Sequence, residues 1–171
     1  LIPHTEVKGL LQTHPSPKTM TPYYDHPNYL SHQLDTHTFM SFIYNNARKY
    51  TIQRKWKFVQ KHCAKQGLLL DYGSGLGLFP QQAPQSYTGL AFEPNQSARR
   101  LGEKQQVNYI DHWQNTKAYD VISLWHVLEH LSDPFEFLEK AYVSLKPGGH
   151  LIIALPNYLS YDAHYYAQYW A

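Results

Sequence analysis

Three glycines follow directly after a short apolar run, in the stretch Asp71-Tyr72-Gly73-Ser74-Gly75-Leu76-Gly77. Glycine at such a turn lets the backbone approach a ligand that any Cβ would hold away. The spacing departs from the G-x-G-x-x-G fingerprint of dinucleotide sites, because Gly77 arrives one residue early and Leu78 holds the final glycine position. An acid two residues before the first glycine would repel a phosphate and attract a cation. The loop therefore predicts a ligand with an ammonium group rather than a pyrophosphate.

A second acid, Glu93, ends the next predicted strand, 16 residues beyond Gly77. In a parallel sheet this position faces the same crevice as the glycine loop, where a carboxylate can accept hydrogen bonds from both hydroxyls of a ribose. A buried carboxylate without a partner would be costly, so the acid itself indicates a hydroxyl-bearing ligand. S-adenosylmethionine combines ribose, amine and sulfonium, and is the predicted cofactor. The alternative, a tight turn with glycines for packing, leaves both acids unexplained.

The elements that must position these residues alternate between strands and helices. Short apolar runs predict five strands, at 68–71, 87–92, 106–110, 119–124 and 150–155. Helices are predicted at 96–104 and at 134–145, the second with Pro134 in its first turn. Such alternation predicts a doubly wound, mostly parallel α/β sheet of Rossmann-like type, here as a cofactor-binding domain over 67–157.

Three further segments flank this domain. Residues 1–38 are rich in proline and predict an irregular arm, whose scattered histidines we expect to face solvent or to form local hydrogen bonds: His4, His14, His26, His32 and His37. Residues 39–63 show apolar side chains at three- and four-residue spacing and predict an amphipathic helix that packs on the core, an N-terminal helical extension. Its basic face is expected to be solvated, and a membrane-surface role is disfavoured because the aromatic stripe is needed as core. Residues 158–171 form an aromatic C-terminal segment.

Composition narrows the classes of partner. With 171 residues the chain has room for one domain, and 16% charged residues with a net charge of +2 give no footprint for nucleic acid or for an anionic membrane. The longest apolar run, 151–156, is far shorter than the ~20 residues of a membrane span. The single cysteine, Cys63, and a start unlike a signal peptide predict a cytoplasmic protein.

The whole pattern resembles the class I S-adenosylmethionine-dependent methyltransferases, particularly the branch of the quinone-biosynthesis O-methyltransferases and their bacterial relatives, from about residue 23 to 171. The segments that carry the resemblance are 69–77, 89–94, 119–122, 125–131, 133–134, 145–149 and 155–157. The resemblance implies that Asp71, Gly73 and Gly75, with Ser74 and Gly77 in the same loop, hold the methionine part of the cofactor. It also implies that Glu93 holds the ribose, that Asp111 and His112 lie near the adenine, and that Leu124 and Trp125 line the methionine side.

The sequence His126-Val127-Leu128-Glu129-His130 supports more than one role. It matches the H-x-x-E-H motif of zinc peptidases, but it directly follows a predicted strand and lacks a visible third ligand, so a zinc peptidase is a remote alternative and no metal is predicted. If the methyl acceptor is a hydroxyl, it must lose its proton, and His126 or His130 is the candidate general base, with His126 better placed. Glu129 and His130 could equally tie the following helix to the sheet.

These features predict a methyltransferase acting on a small-molecule acceptor, with a non-catalytic binding module of the same fold as the alternative.

Two departures from the family stand out. The segment 77–86 contains Pro80 and Pro84 where a crossover helix of ten or more residues is expected. The sheet also stops at five strands where the relatives continue, so we expect the native polypeptide to be longer. The aromatic C-terminal segment could line an apolar acceptor site, although packing is its expected role. The acceptor and the oligomeric state are not indicated.

Overall fold

The computed structural model describes residues 2–3, 7, 11–12 and 39–169, and the chain forms two compact units, Leu1–Leu34 and Asp35–Ala171. In the first unit, strands β1 (Ile2–Pro3) and β2 (Leu11–Gln12) pair in antiparallel fashion. The five histidines of the predicted irregular arm, and its other residues apart from these two strands and Val7, lie outside the described residues.

The second unit alternates helices and strands along the chain. In order, its elements are α1 (Phe39–His62), β3 (Gly67–Tyr72), α2 (Leu78–Gln81), β4 (Tyr87–Phe92), α3 (Gln96–Glu103), β5 (Tyr119–Trp125), a 3-10 turn (Leu128–His130), α4 (Pro134–Ser144), β6 (Leu145–Ala154), α5 (Tyr161–Tyr166) and a second 3-10 turn (Ala167–Tyr169). The predicted crossover between β3 and β4 is thus a helix of only four residues.

The four strands β3 to β6 form one parallel sheet in the order β4-β3-β5-β6. This confirms the predicted α/β fold. The chain leaves β3 toward β4 on one side and later returns to β5 on the other, so the crevice beyond the carboxyl ends of β3 and β5 is a topological switch point, where ligands of open α/β sheets bind.

The predicted strand over 106–110 is reduced to a single parallel bridge between Tyr109 and Ala91. Two backbone hydrogen bonds hold it: Ala91 N–H donates to Asn108 O at 2.9 Å, and Ile110 N–H donates to Ala91 O at 2.9 Å. Gln106, just before this bridge, has a left-handed φ of 61° that extended pairing does not accommodate. The sheet therefore has four strands rather than the five expected.

Capping residues fix where the helices that flank the sheet begin. The Asn95 side chain accepts hydrogen bonds from the Ser97 and Ala98 backbone N–H groups at the start of α3. At the start of α4, Asp133 Oδ1 accepts from Glu136 N–H at 2.8 Å, and Pro134 occupies the first turn. Both starts agree with the capping preferences of aspartate and asparagine.

Apolar side chains pack on both faces of the sheet. On one face, β3, β4, β5 and β6 pack against α1 and α2 through Leu69, Tyr87, Val121 and Ile152. On the other face, Leu70, Ile122 and Leu124 pack against α4 through Phe137 and Ala141. Because side chains alternate along a strand, Asp71 and Ser123 lie on the α1 side, with Leu69 and Val121.

The long helix α1 uses only its second half as core. Ile52, Trp56 and Val59 are 6%, 5% and 0% exposed, and Trp56 Nε1 donates to Phe79 O at 2.9 Å. The expected stripe continues through Ile43, Ala47 and Tyr50, but these three residues are exposed. The reason is geometric, since they lie on the opposite side of the helix from the stripe that Ile52 and Val59 define.

Among the described residues, no helix combines the length and the hydropathy that crossing a bilayer requires.

Candidate functional site

The carboxyl end of β3 places a buried acid at the switch point. Asp71 is 4% exposed, and its Oδ1 accepts a hydrogen bond from Ser123 Oγ on β5 at 2.6 Å. Burial raises the pKa of Asp71 to about 7, against the opposing effects of the Ser123 hydrogen bond and the charge of Lys55. A carboxylate here gains strongly from any cation placed beside it, since desolvation otherwise penalises its charge.

Among the described groups that perturb the pKa of this acid, Lys55 on α1 is the cation. Its Nζ lies 4.4 Å from the centre of the Trp125 ring and 5.7 Å from that of Phe79. Burial lowers the pKa of Lys55, and the charge of Asp71 opposes that shift. Sequence analysis missed Lys55 because it lies on a different element; the available signal was a lysine directly beside the buried Trp56 of the same helix.

The glycine loop is held against β4 by backbone hydrogen bonds. Gly73 and Ser74 N–H both donate to Phe92 O, at 2.8 and 3.1 Å, and Gly77 N–H donates to Ser74 O at 2.9 Å. The Tyr109 hydroxyl donates to Gly75 O at 2.7 Å. All three glycines adopt a left-handed φ, of 67°, 56° and 66° for Gly73, Gly75 and Gly77. The spacing of the glycines thus follows from backbone geometry that other residues rarely adopt.

The three glycines differ in what surrounds them. A Cβ at Gly73 would lie 2.6 Å from Val127, and one at Gly77 would lie 2.2 Å from Val107, so both glycines are required for internal packing. A Cβ at Gly75 would meet no atom within 4 Å. Open space at Gly75 is therefore the part of the loop where a ligand could approach the backbone.

Glu93 has partners that the sequence did not indicate. Its two carboxylate oxygens accept hydrogen bonds from Gly75 N–H at 2.7 Å and from Asn95 N–H at 2.8 Å. Burial raises the pKa of Glu93, and these two backbone hydrogen bonds oppose the shift. The acid is thus accounted for within the protein, which removes the inference that it must have a hydroxyl ligand. Each oxygen still has a second lone pair for an external donor.

Trp125 ends β5 on the same face of the sheet as Ser123. Its indole Nε1 is buried and has no hydrogen-bond partner in the described part of the chain. Such an unsatisfied donor is unusual and favours a bound acceptor. Leu124, expected beside it on the methionine side, is instead fully buried in the core against α4. The alternation of side chains along β5 turns it to the opposite face of the sheet.

Asp111 and His112 lie on the exposed loop after the Tyr109 bridge. Asp111 Oδ1 forms an ion pair with Arg99 Nη2 of α3 at 2.6 Å, and 74% of its side chain is exposed. The loop therefore reaches α3, beside the strand end that carries Glu93. A contact of either residue with a ligand stays a prediction.

His126 follows Trp125 with a left-handed φ of 59°, a conformation that costs a residue with a Cβ energy and concentrates at functional sites. Its backbone N–H donates to Ala154 O at 3.0 Å, which anchors it to the end of β6. Its ring Nδ1 lies 3.6 Å from Glu129 Oε1, an ion-pair distance rather than a hydrogen bond. His130, at the end of the 3-10 turn, is exposed.

The backbone of residues 126–130 differs from the helix that a zinc-peptidase motif requires. Two histidines four residues apart share a face only on a continuous α-helix, whereas His126 is left-handed and Val127 is also non-helical. Within residues 39–169 and the other described positions, no three histidine, cysteine, aspartate or glutamate side chains group as metal ligands. The H-x-x-E-H sequence here forms a strand-to-helix connection.

The aromatic C-terminal segment does not pack as expected. Its tyrosines on and after α5 are exposed: Tyr161 84%, Tyr165 69%, Tyr166 54% and Tyr169 81%. Tyr161 and Tyr165 stack on each other instead, with 6.1 Å between their ring centres, and Tyr165 meets Tyr166 edge-on.

Taken together, a parallel sheet with a glycine loop and two acids at its switch point defines the class of Rossmann-like α/β domains. Within that class, residues 44–171 match the family model described as "Methyltransferase domain". The chain belongs to this methyltransferase family.

A curated relative is similar in sequence to part of the chain. It is 31% identical over 102 residues to the ubiquinone biosynthesis O-methyltransferase of Vibrio vulnificus (strain YJ016), an alignment that covers 52% of this chain and 43% of the relative. The chain thus spans less than half of the length of that curated relative.

Solved structures show the same fold. A SAM-dependent methyltransferase from Thermotoga maritima, described as a possible histamine N-methyltransferase, matches with a TM-score of 0.55 at 20% identity, over 76% of this chain and 66% of that one. The YcgJ protein of Bacillus subtilis matches with a TM-score of 0.53 at 14% identity, over 61% and 50% of the two chains.

Proposed function

We propose that this chain binds S-adenosylmethionine at the carboxyl ends of β3, β4 and β5 and transfers its methyl group to a small-molecule acceptor. The observation that carries the proposal is the open space at Gly75, in the loop that follows the buried acid Asp71, together with the unsatisfied Nε1 of Trp125 at the end of the adjacent strand β5. These groups match a ligand with both a cationic and an anionic end.

The charges of the site fit the amino-acid part of this cofactor. Asp71 lies where it would attract the ammonium group, since a buried carboxylate is stabilised by an adjacent cation. Lys55 Nζ and Trp125 Nε1 are both donors, and their closeness at the Trp125 ring suits a carboxylate. The ammonium group of the cofactor would thus be paired with Asp71, and its carboxylate with Lys55.

Glu93 has two roles in this proposal. It fixes the glycine loop through Gly75 N–H, and the remaining lone pairs of its oxygens would accept the ribose hydroxyls. Asp111 and His112 would border the adenine, and Ser74 would border the methionine part. When bound, the cofactor supplies an electrophilic methyl group, so the protein has mainly to position the acceptor in line with it.

A hydroxyl acceptor is the class to test first, because the curated relative is named an O-methyltransferase. His126 is then the proposed general base, since it follows Trp125 at the end of β5 and is exposed toward solvent where an acceptor can reach it. His130 is the second candidate, four residues further on.

The location we propose is the cytoplasm.

The substitution Gly75→Ala tests the cofactor site. A methyl group there would extend into open space that the ligand is proposed to fill, so we expect cofactor affinity to fall about tenfold or more. The strained φ would also cost about 1–2 kcal/mol of stability. Calorimetric titration with S-adenosylmethionine and thermal denaturation measure the two effects.

The matched control is Gly148→Ala. Gly148 also has a left-handed φ, of 78°, and a Cβ there would likewise meet no atom within 4 Å. It lies near the start of β6, at the opposite end of the sheet. We expect a similar loss of stability with unchanged cofactor affinity. Equal affinities for both variants would refute the proposed site.

A further inference from the structure

The side of α1 that faces away from the core carries an unusual mixture of side chains. Ile43, Ala47, Tyr50, Arg54, Lys57 and Lys61 recur at spacings of four and three residues, and all are exposed. This is the period of one helix face. We call these six residues the outward face of α1; Phe58 borders it and is 48% exposed.

The apolar members of this face have no role in the core. Ile43 is 47% exposed and Tyr50 is 61% exposed, and the guanidinium of Arg54 lies 5.9 Å from the centre of the Tyr50 ring. Single exposed apolar residues are ordinary, but several on one helix face, interleaved with basic residues, indicate an interaction surface.

Charge along the chain is strongly divided at this helix. Residues 36–70 contain seven lysines and arginines and no aspartate or glutamate, whereas residues 71–171 contain six basic and ten acidic residues. The modest overall charge of +2 conceals this division. A partner that docks on α1 would therefore carry negative charge.

We propose that the outward face of α1 binds the surface of an anionic lipid bilayer. Helices that lie in the membrane interface combine lysine and arginine with aromatic and aliphatic side chains, and a cluster of basic residues adds attraction to anionic headgroups. The exposed aliphatic Ile43 and the phenyl ring of Phe58 can enter the apolar region of a bilayer. Nucleic acid is also negatively charged, but its backbone has no apolar region in which Ile43 could be buried, so a lipid bilayer is the favoured partner.

Vesicle co-sedimentation of the full chain tests this. We expect binding to vesicles of phosphatidylcholine with about 30% phosphatidylglycerol, weak binding to phosphatidylcholine alone, and release by high salt. The triple substitution Arg54→Glu, Lys57→Glu and Lys61→Glu should lower the partition coefficient about 100-fold or more. The double substitution Tyr50→Ser and Phe58→Ser should lower it about tenfold.

A charge-matched control lies elsewhere on the molecule. Arg100→Glu, Lys104→Glu and Lys117→Glu change the net charge equally at exposed positions outside α1, and should retain binding within about threefold. Circular dichroism melting checks that each variant is folded. Three results would each overturn the proposal. The wild type does not bind the anionic vesicles, the control variant loses as much vesicle binding as the α1 variant, or the wild type binds duplex DNA or RNA in a salt-dependent manner but not vesicles.

Discussion

Replacing His126 with asparagine is expected to lower methyl transfer by about 10²–10⁴-fold, the usual contribution of a general base. Asparagine tolerates the left-handed backbone that His126 adopts, so the fold should be retained or slightly stabilised. The backbone hydrogen bond from residue 126 to Ala154 O is independent of the side chain. The variant therefore removes the imidazole and little else.

The measurement is formation of S-adenosylhomocysteine with a panel of phenolic acceptors, alongside calorimetric cofactor binding. Binding should stay within about threefold of the wild type, because no cofactor contact is assigned to the imidazole. His150→Ala is the control, since His150 is exposed in the middle of β6 and lies before the carboxyl end of that strand. Turnover that survives in the His126 variant would remove this residue from the mechanism.

Replacing Asp71 with asparagine is expected to weaken cofactor binding about 10–100-fold, through loss of a charge-assisted hydrogen bond to the ammonium group. Asparagine has nearly the same shape and can still accept from Ser123 Oγ. The expected loss is therefore one of charge, and calorimetric titration at pH 8 measures it. An unchanged affinity would show that the ammonium group binds elsewhere.

The same substitution has a signature in stability. The pKa of Asp71 is raised from 3.8 to about 7 by burial, so the native state holds a proton that the unfolded state releases between these values. The free energy of unfolding should then fall as pH rises from about 4 to 7, by about 4 kcal/mol from this group. Asp71→Asn should abolish this fall and leave the protein without cofactor more stable at pH 8. Denaturant unfolding of the wild type and of Asp71→Asn from pH 4 to 8 tests this.

Cofactor affinity of the wild type should rise over the same pH range, since a cationic ligand favours the ionised carboxylate. The asparagine variant should lack that rise. A flat profile in both proteins would contradict the assigned partner of Asp71.

Local signals predicted most of the fold correctly. The leucine run of β3, the glycine loop and the Asp133-Pro134 start of α4 each depend on residues close in sequence, so their conformation is visible without tertiary context. The strand ends also bring the two acids to one edge of the sheet: Gly75, in the loop directly after Asp71, donates its N–H to Glu93, 18 residues further along the chain.

What the sequence could not show depends on contacts between distant elements. Lys55 lies beside Asp71 only because α1 packs on the sheet, and Glu93 turned out to be satisfied by backbone N–H groups rather than requiring a ligand. The exposure of Tyr50 likewise depends on which side of α1 the sheet accepts. Periodicity finds apolar stripes, but it does not say which of two stripes is covered.

The shortness of α2 has a consequence for how the molecule opens. With four residues in that crossover, the neighbouring sheet face is closed chiefly by Trp56, which stacks on Phe79 at 4.7 Å between ring centres and hydrogen-bonds its carbonyl. Amide protons of β3 and of the second half of α1 should then exchange with deuterium as one cooperative unit. The N-terminal helix would thus govern the local breathing of the strand that carries Asp71.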